Sequence, residues 1–235
     1  MHPEHRHLLE QLRQARRPTS HGRLDPGGYL GSDHLFLNVA VPDRRRIAKA
    51  WITGHKADPI DGVLAVIDSL FMGESHEEKT LAAIILACAP KVRKSFGPRE
   101  VERWLGCLEG WAEVDTLCQN VFTAEEMLTD WPSWKALIQR LAVDSNINKR
   151  RAALVLLTGP VRRSADVRFA DLAFATIDQL KSERPILITK AVSWLLRSLS
   201  THHRRTVGDY LDAEATRLPS LAVRETRTKL ATGRK

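Results

Sequence analysis

Over 235 residues, 36 lysines and arginines outweigh 28 aspartates and glutamates, a formal charge of +8 with a pI near 9.7. Forty-three per cent hydrophobic residues at a mean hydropathy of −0.27 exclude wholesale disorder, and no apolar run approaches the ~20 residues of a membrane-spanning helix. Three cysteines (Cys88, Cys107, Cys118), odd in number and without C-x-x-C spacing, argue against a disulfide scaffold or zinc ribbon, and the positive excess points toward a polyanionic partner such as nucleic acid.

Along the chain, nearly every patterned stretch carries apolar residues three and four apart, the period of an amphipathic helix. The polar opening, Met1-His-Pro-Glu-His-Arg-His, holds no secretory segment, so a cytoplasmic location is expected. Leu8, Leu9 and Leu12 make the first stripe, ended by Arg16-Arg17-Pro18. A turn-rich segment follows, from Thr19 to Gly22 and through Pro26-Gly27-Gly28 to Tyr29. Pro42 reads as a first-turn proline of a helix carrying Arg44, Arg45, Ile47, Ala48 and Trp51. Asp58-Pro59 opens the next, with Val63, Leu64, Val66, Ile67 and Leu70 inside. Ser75 with Glu78 three residues on forms a capping box before the run 81–89. Pro98 and Pro132 start two more helices, Asp144-Ser-Asn leads into one over 150–157, and Arg184-Pro185 into one over 186–199. His202-His203 and Leu218-Pro219 flank the last two. No stretch alternates over a strand length.

The helices recur. Arg151-Ala-Ala-Leu-Val-Leu-Leu and Lys190-Ala-Val-Ser-Trp-Leu-Leu share a basic residue, a small residue and paired aliphatics, with a weaker copy over 77–86 and a degenerate one over 224–230. The interval of roughly 35–40 residues is one antiparallel helix pair of a HEAT-type array. The expected fold is therefore all-α: a HEAT-like α-solenoid of antiparallel helix pairs with a basic concave face. It is expected to form one domain over 1–235, with the first residues and the tail after about 231 frayed. Glu77, Asp115, Arg151 and Lys190 occupy equivalent points of the pattern and are expected to fall in a row.

Several chemistries lack support. No G-x-G-x-x-G, G-x-x-x-x-G-K-[ST] or G-x-S-x-G motif occurs. His2, His5 and His7 crowd the N-terminus, where a solvated end accounts for them better than a metal site. The pair His202-His203 has no nearby carboxylate or thiol partner, so no metal and no cofactor are expected. Trp111-Ala-Glu-Val-Asp115 is more informative, because residues at i and i+4 share one helix face. Alone it describes a half-buried indole beside a surface carboxylate. Trp194, one turn beyond Lys190, and Tyr29, behind a Gly-Gly turn, add two further aromatics to the array.

Four stretches together resemble a known family: Tyr29-Leu-Gly-Ser-Asp-His-Leu-Phe-Leu-Asn-Val-Ala-Val-Pro-Asp-Arg-Arg, Trp111-Ala-Glu-Val-Asp, Asp144-Ser-Asn-Ile-Asn-Lys-Arg-Arg-Ala-Ala-Leu and Thr189-Lys-Ala-Val-Ser-Trp-Leu-Leu-Arg. In order and spacing they are similar to the HEAT-repeat DNA alkylation repair glycosylases of the AlkD type, over about residues 8 to 224. The resemblance implies excision of cationic N3- or N7-alkylated purines from double-stranded DNA by hydrolysis of the N-glycosidic bond, with the base never enclosed in a pocket. It implies that Asp115 is the catalytic carboxylate, that Trp111 and Trp194 flank the damaged nucleotide, and that Tyr29 stands nearby. Arg151 falls on a DNA-backbone arginine, with Arg150 its alternate if the register slips by one; Lys190 and Arg197, on one helix of the concave face, are expected as phosphate ligands. A monomer acting without a cofactor or a membrane is expected.

The chemistry of the residues agrees. A cationic purine is already a good leaving group, and a fixed carboxylate suits the oxocarbenium-like sugar and the attacking water. Indole and phenol faces attract cations by about 0.5–2 kcal/mol per contact. The chain departs from the family pattern at Asn148, where a Trp is common, at Asn38, where a Gly is common, and in extra residues around Arg162, Arg163 and Arg168 that suggest an added phosphate-binding loop. The alternative is a non-catalytic HEAT-repeat module that grips DNA, which would be expected to lose the carboxylate or an aromatic.

Overall fold

The structure is a computed structural model describing residues 1–18 and 26–233, and every regular element among them is helical. The chain divides into two compact units, Met1–Val121 and Phe122–Lys235. The first holds α1 (Pro3–Gln14), α2 (Pro26–Leu30), α3 (Val41–Gly54), α4 (Ile60–Phe71), α5 (His76–Cys88), α6 (Pro90–Arg93), α7 (Pro98–Leu105) and α8 (Gly110–Asn120). The second holds α9 (Ala124–Thr129), α10 (Trp131–Ala142), α11 (Ile147–Arg163), α12 (Val167–Leu180), α13 (Ile186–Leu199), α14 (Arg204–Glu214) and α15 (Ser220–Thr232). Strand-like pairing among the described residues is confined to one isolated bridge, Leu35 to Ser75.

In the first unit α5 packs against α3, α4 and α8, and in the second α13 packs between α11 and α15 while also touching α12 and α14. Helices within two or three elements of one another in the chain thus lie side by side, the arrangement of an α-solenoid. In the first unit α3, α5 and α8 begin at Val41, His76 and Gly110, and in the second α11, α13 and α15 begin at Ile147, Ile186 and Ser220, close to the roughly 35–40-residue recurrence of the sequence.

Local chemistry explains the boundaries. Prolines occupy the first turns of α3, α7 and α10, where no backbone N–H is missed. Ser75 accepts from the Glu78 amide while the Glu78 carboxylate accepts from the Ser75 amide, the capping box read from sequence. Asn146 caps α11 by accepting from the Asn148 amide at 2.8 Å. From Arg151 to Val161 every residue of α11 is buried, so this helix is apolar nearly all round and forms the middle of its unit.

Three expectations are corrected. The N-terminus is not a solvated end. His2 caps α1 by accepting from the Glu4 amide, and His5 is 1 % exposed, bonded to Ser69 Oγ at 2.8 Å and to Glu78 at 2.7 Å. His5 lies one turn before Leu8 and Leu9, so burying that stripe carries the imidazole inward with it. The segment with Arg162, Arg163 and Arg168 forms no added loop: the first two end α11, and Arg168 sits in the first turn of α12, paired with its cap residue Asp166 at 2.6 Å. The Pro26-Gly27-Gly28 turn is itself the start of α2, while 19–22 lie outside the described residues.

Asn38 is the one non-glycine residue with positive φ (63°) among those described. Its amide donates to the carbonyls of Arg17 (2.9 Å) and Pro18 (3.3 Å). A short polar side chain that bonds locally is the best tolerated substitute for glycine there, which accounts for this departure from the family pattern.

Candidate active site

In the first unit the chain leaves α2 through Gly31 (φ 69°), whose amide, like that of Ser32, donates to the Gly27 carbonyl. Just before this tight exit, Tyr29 is 64 % exposed. Trp111, in the first turn of α8, donates its indole N–H to the Tyr29 carbonyl at 3.0 Å, and the rings meet edge to face with centroids 5.6 Å apart. Asp115 follows one turn later on the same helix, half-buried. The close approach depends on Gly110. Its φ is +69°, and a Cβ placed there would lie 2.0 Å from the Leu30 carbonyl oxygen and 2.8 Å from that of Gly31.

Beneath this cluster Glu113 is 1 % exposed. It accepts from His34 Nδ1 (3.0 Å), His76 Nδ1 (3.1 Å), Ser32 Oγ (3.3 Å) and the Glu109 amide (2.9 Å). Because His76 Nδ1 donates, its Nε2 is left to accept from Arg44 at 3.2 Å, and Arg44 also donates to Thr80. Burial pushes the Glu113 carboxyl up, but the bonds from His76, the Glu109 amide and His34 outweigh it and hold the group below its ordinary value. Glu78 behaves alike: burial raises it, and His5 and Ser75 bring it lower.

A carboxyl whose folded value lies below its unfolded one stabilises the fold at pH above the unfolded value, and loses that contribution as pH falls toward the folded value. The urea midpoint should therefore hold steady above the ordinary carboxyl value of 4.5 and fall below it. Glu113→Gln, weaker at neutral pH, should fall less. A wild-type midpoint flat down to about pH 3 would contradict the assignment.

Glu77, placed in the same row as Asp115 by the repeat pattern, is fully buried and accepts from the amides of Leu37 (2.8 Å) and Val39 (3.2 Å). It fastens the chain entering α3.

In the second unit Lys190, Trp194 and Arg197 share α13. Lys190 is exposed with no ion-pair partner among the described residues, and Trp194 is half-buried. Arg197 pairs with Glu225 at 3.3 Å. Arg151 is 4 % exposed and donates to the Leu187 carbonyl at 2.5 Å, joining α11 to the start of α13. Arg150 grips Glu183 through two nitrogens (2.8 and 3.1 Å) and the carbonyls of Asp144 and Ser145 (each 2.8 Å). Asn148, where a Trp is common, lies in the first turn of α11, partly exposed.

The structure thus brings Tyr29, Trp111 and Asp115 together in one unit, and Lys190, Trp194 and Arg197 onto one helix of the other. Sequence reasoning missed Glu113, His34, His76 and Arg44. The bonds that join these four span 32 to 79 residues, so no local pattern reports them. No group of three or more His, Cys, Asp or Glu side chains suited to a metal occurs among the described residues, and no helix among them is long and apolar enough to cross a membrane.

No curated protein matches the chain at a significant level. Among solved structures, a predicted DNA alkylation repair enzyme from Enterococcus faecalis is similar with a TM-score of 0.71 and 19% sequence identity, over 88% of this chain and 93% of that one. Residues 8–230 match the family model described as DNA alkylation repair enzyme, from the first apolar stripe of α1 to the end of α15. The chain belongs to the DNA alkylation repair enzyme family.

Proposed function

We propose that this protein is a monofunctional alkylpurine DNA glycosylase, hydrolysing the N-glycosidic bond of N3- or N7-alkylated purines in duplex DNA. The observation that carries this reading is the meeting of an exposed Tyr29, an edge-on Trp111 and the half-buried Asp115 on one surface. As the bond to a cationic purine breaks, the sugar gains positive charge. The Asp115 carboxylate stabilises that charge and directs a water to the anomeric carbon, taking up its proton. The electron-rich faces of Tyr29 and Trp111 favour the cationic base and the polarised sugar, and the indole of Trp194 is a further aromatic available to the DNA. Tyr29 stands open to solvent, which suits a base that is not enclosed and limits the reaction to bases labile through their own charge. Lys190 and Arg197 contribute phosphate contacts, and Arg151 and Arg150 hold the helices that present them. No cofactor takes part.

Incubation with N-methylpurine-containing duplex should release free 7-methylguanine or 3-methyladenine and leave abasic sites. DNA bound without either product would make the chain a binding module. Lys190→Ala should weaken affinity for damaged and undamaged duplex alike, because phosphate contacts carry no lesion information. It should also shallow the slope of log affinity against log salt by about one unit. An unchanged slope would place Lys190 away from the DNA.

A further inference from the structure

Behind the aromatic–carboxylate cluster lies a group of side chains that the proposed chemistry does not use, yet which spans both elements carrying it. The segment from Tyr29 to His34 is bonded to α8 and its cap at four points. Trp111 donates to the Tyr29 carbonyl, Ser32 Oγ to Glu113, the Asp33 amide to Glu109 (3.0 Å) and His34 Nδ1 to Glu113. From the opposite side Glu113 receives His76 of α5, which accepts from Arg44 of α3. The buried Arg44 Nε has no partner of its own among the described residues.

Burying a carboxylate to this degree is unfavourable unless geometry and extra hydrogen bonds offset it. Apolar contact would hold segment to helix without that penalty, but would not fix its angle. Hydrogen bonds to one carboxylate do fix it. Residues two apart on a helix point about 200° apart around the axis, so locking Glu113 into the interior holds Asp115 outward.

We propose that Glu113, acting through His34, is a positioning residue: it sets Tyr29 against Trp111 and thereby the direction of Asp115. The catalytic half of this proposal rests on the glycosylase reading, whereas the structural half does not. His34, less buried than Glu113, is the safer residue to change. His34→Ala removes the donor. His34→Asn restores an N–H at the δ position, where Nδ1 stood.

The experiment records the tryptophan indole N–H resonances in both variants, with Trp111 assigned by Trp111→Phe, and single-turnover release of 7-methylguanine from folded, DNA-saturated protein. In His34→Ala the Trp111 resonance should move while those of the other tryptophans stay. Excision should slow about 10- to 100-fold with DNA affinity unchanged, as a misplacement on the order of 1 Å produces. His34→Asn should restore both. A role in stability alone would lower the melting temperature and leave the rate of folded molecules intact. An unmoved Trp111 resonance in His34→Ala, or a rate that His34→Asn does not restore, overturns the proposal. Absence of excision by the wild type overturns the glycosylase reading instead, and the Trp111 resonance still decides the positioning role.

Discussion

Asp115→Asn should slow single-turnover release of 7-methylguanine by about 10²–10³-fold, the loss of about 2.7–4 kcal/mol that follows removal of one group aimed at developing charge. The substitution keeps the side chain's size and much of its hydrogen bonding, so the helix should hold and only the charge facing the sugar is lost. DNA affinity should stay the same or rise slightly, because an anion near the phosphates is gone. Trp111→Ala and Trp194→Ala should be milder, since each aromatic contact contributes less than a full charge. If Asp115 merely braced the surface of α8, the variant would melt earlier and the surviving folded protein would turn over normally. Rates measured on folded, saturated protein separate the two, and a near-wild-type value would leave the chain a DNA-binding module.

Gly110→Ala should be the most damaging small substitution in the first unit. A methyl group there would stand 2.0 Å from a backbone oxygen, and the backbone sits at φ +69°, where side chains are rarely accommodated. Holding that conformation costs about 1–3 kcal/mol, and overfilling a packed contact costs about as much again. No flexible side chain can swing aside, because the clashing atoms belong to the Leu30–Gly31 backbone. The segment must therefore lift from α8 and take Tyr29 with it. The measurements are the urea midpoint and the Trp111 indole resonance: the first should drop by an amount corresponding to on the order of 2–6 kcal/mol, and the second should lose its hydrogen-bonded shift. An unchanged midpoint would mean the close approach is absent in solution.

Periodicity, prolines and caps made much of the fold legible. The helix over 186–199 was readable to the residue because Pro185 fixes its start and an apolar stripe runs unbroken to Leu199. Ser75 and Glu78 announced the next clearest boundary. The pairing of Trp111 with Asp115 followed from spacing alone, but its meeting with Tyr29 did not, since that depends on two glycines in left-handed conformation 79 residues apart. The buried polar residues were the hardest to place. A charged side chain in a sequence reads as surface, and Ser75 through Thr80 are six consecutive polar residues that the structure buries completely or nearly so. Only their long-range partners reveal why. Arg151 shows the same difficulty: the family resemblance pointed it to the DNA backbone, whereas its guanidinium donates to the Leu187 carbonyl between α11 and α13.

The two units are built on unlike principles, and their response to damage should differ accordingly. In the second, the packing is largely apolar between neighbours close in sequence, so a lost methyl group is felt by the adjoining helices and little farther. In the first, one carboxylate on α8 reaches the segment after α2 and the start of α5, and through His76 it is joined to α3. Such a hub couples elements that nearest-neighbour stacking would leave independent. Opening any one of them strands buried donors on the rest, so this half of the chain should behave as a single cooperative block in hydrogen exchange, with protection rising and falling together, while the second half frays progressively from its C-terminal helices.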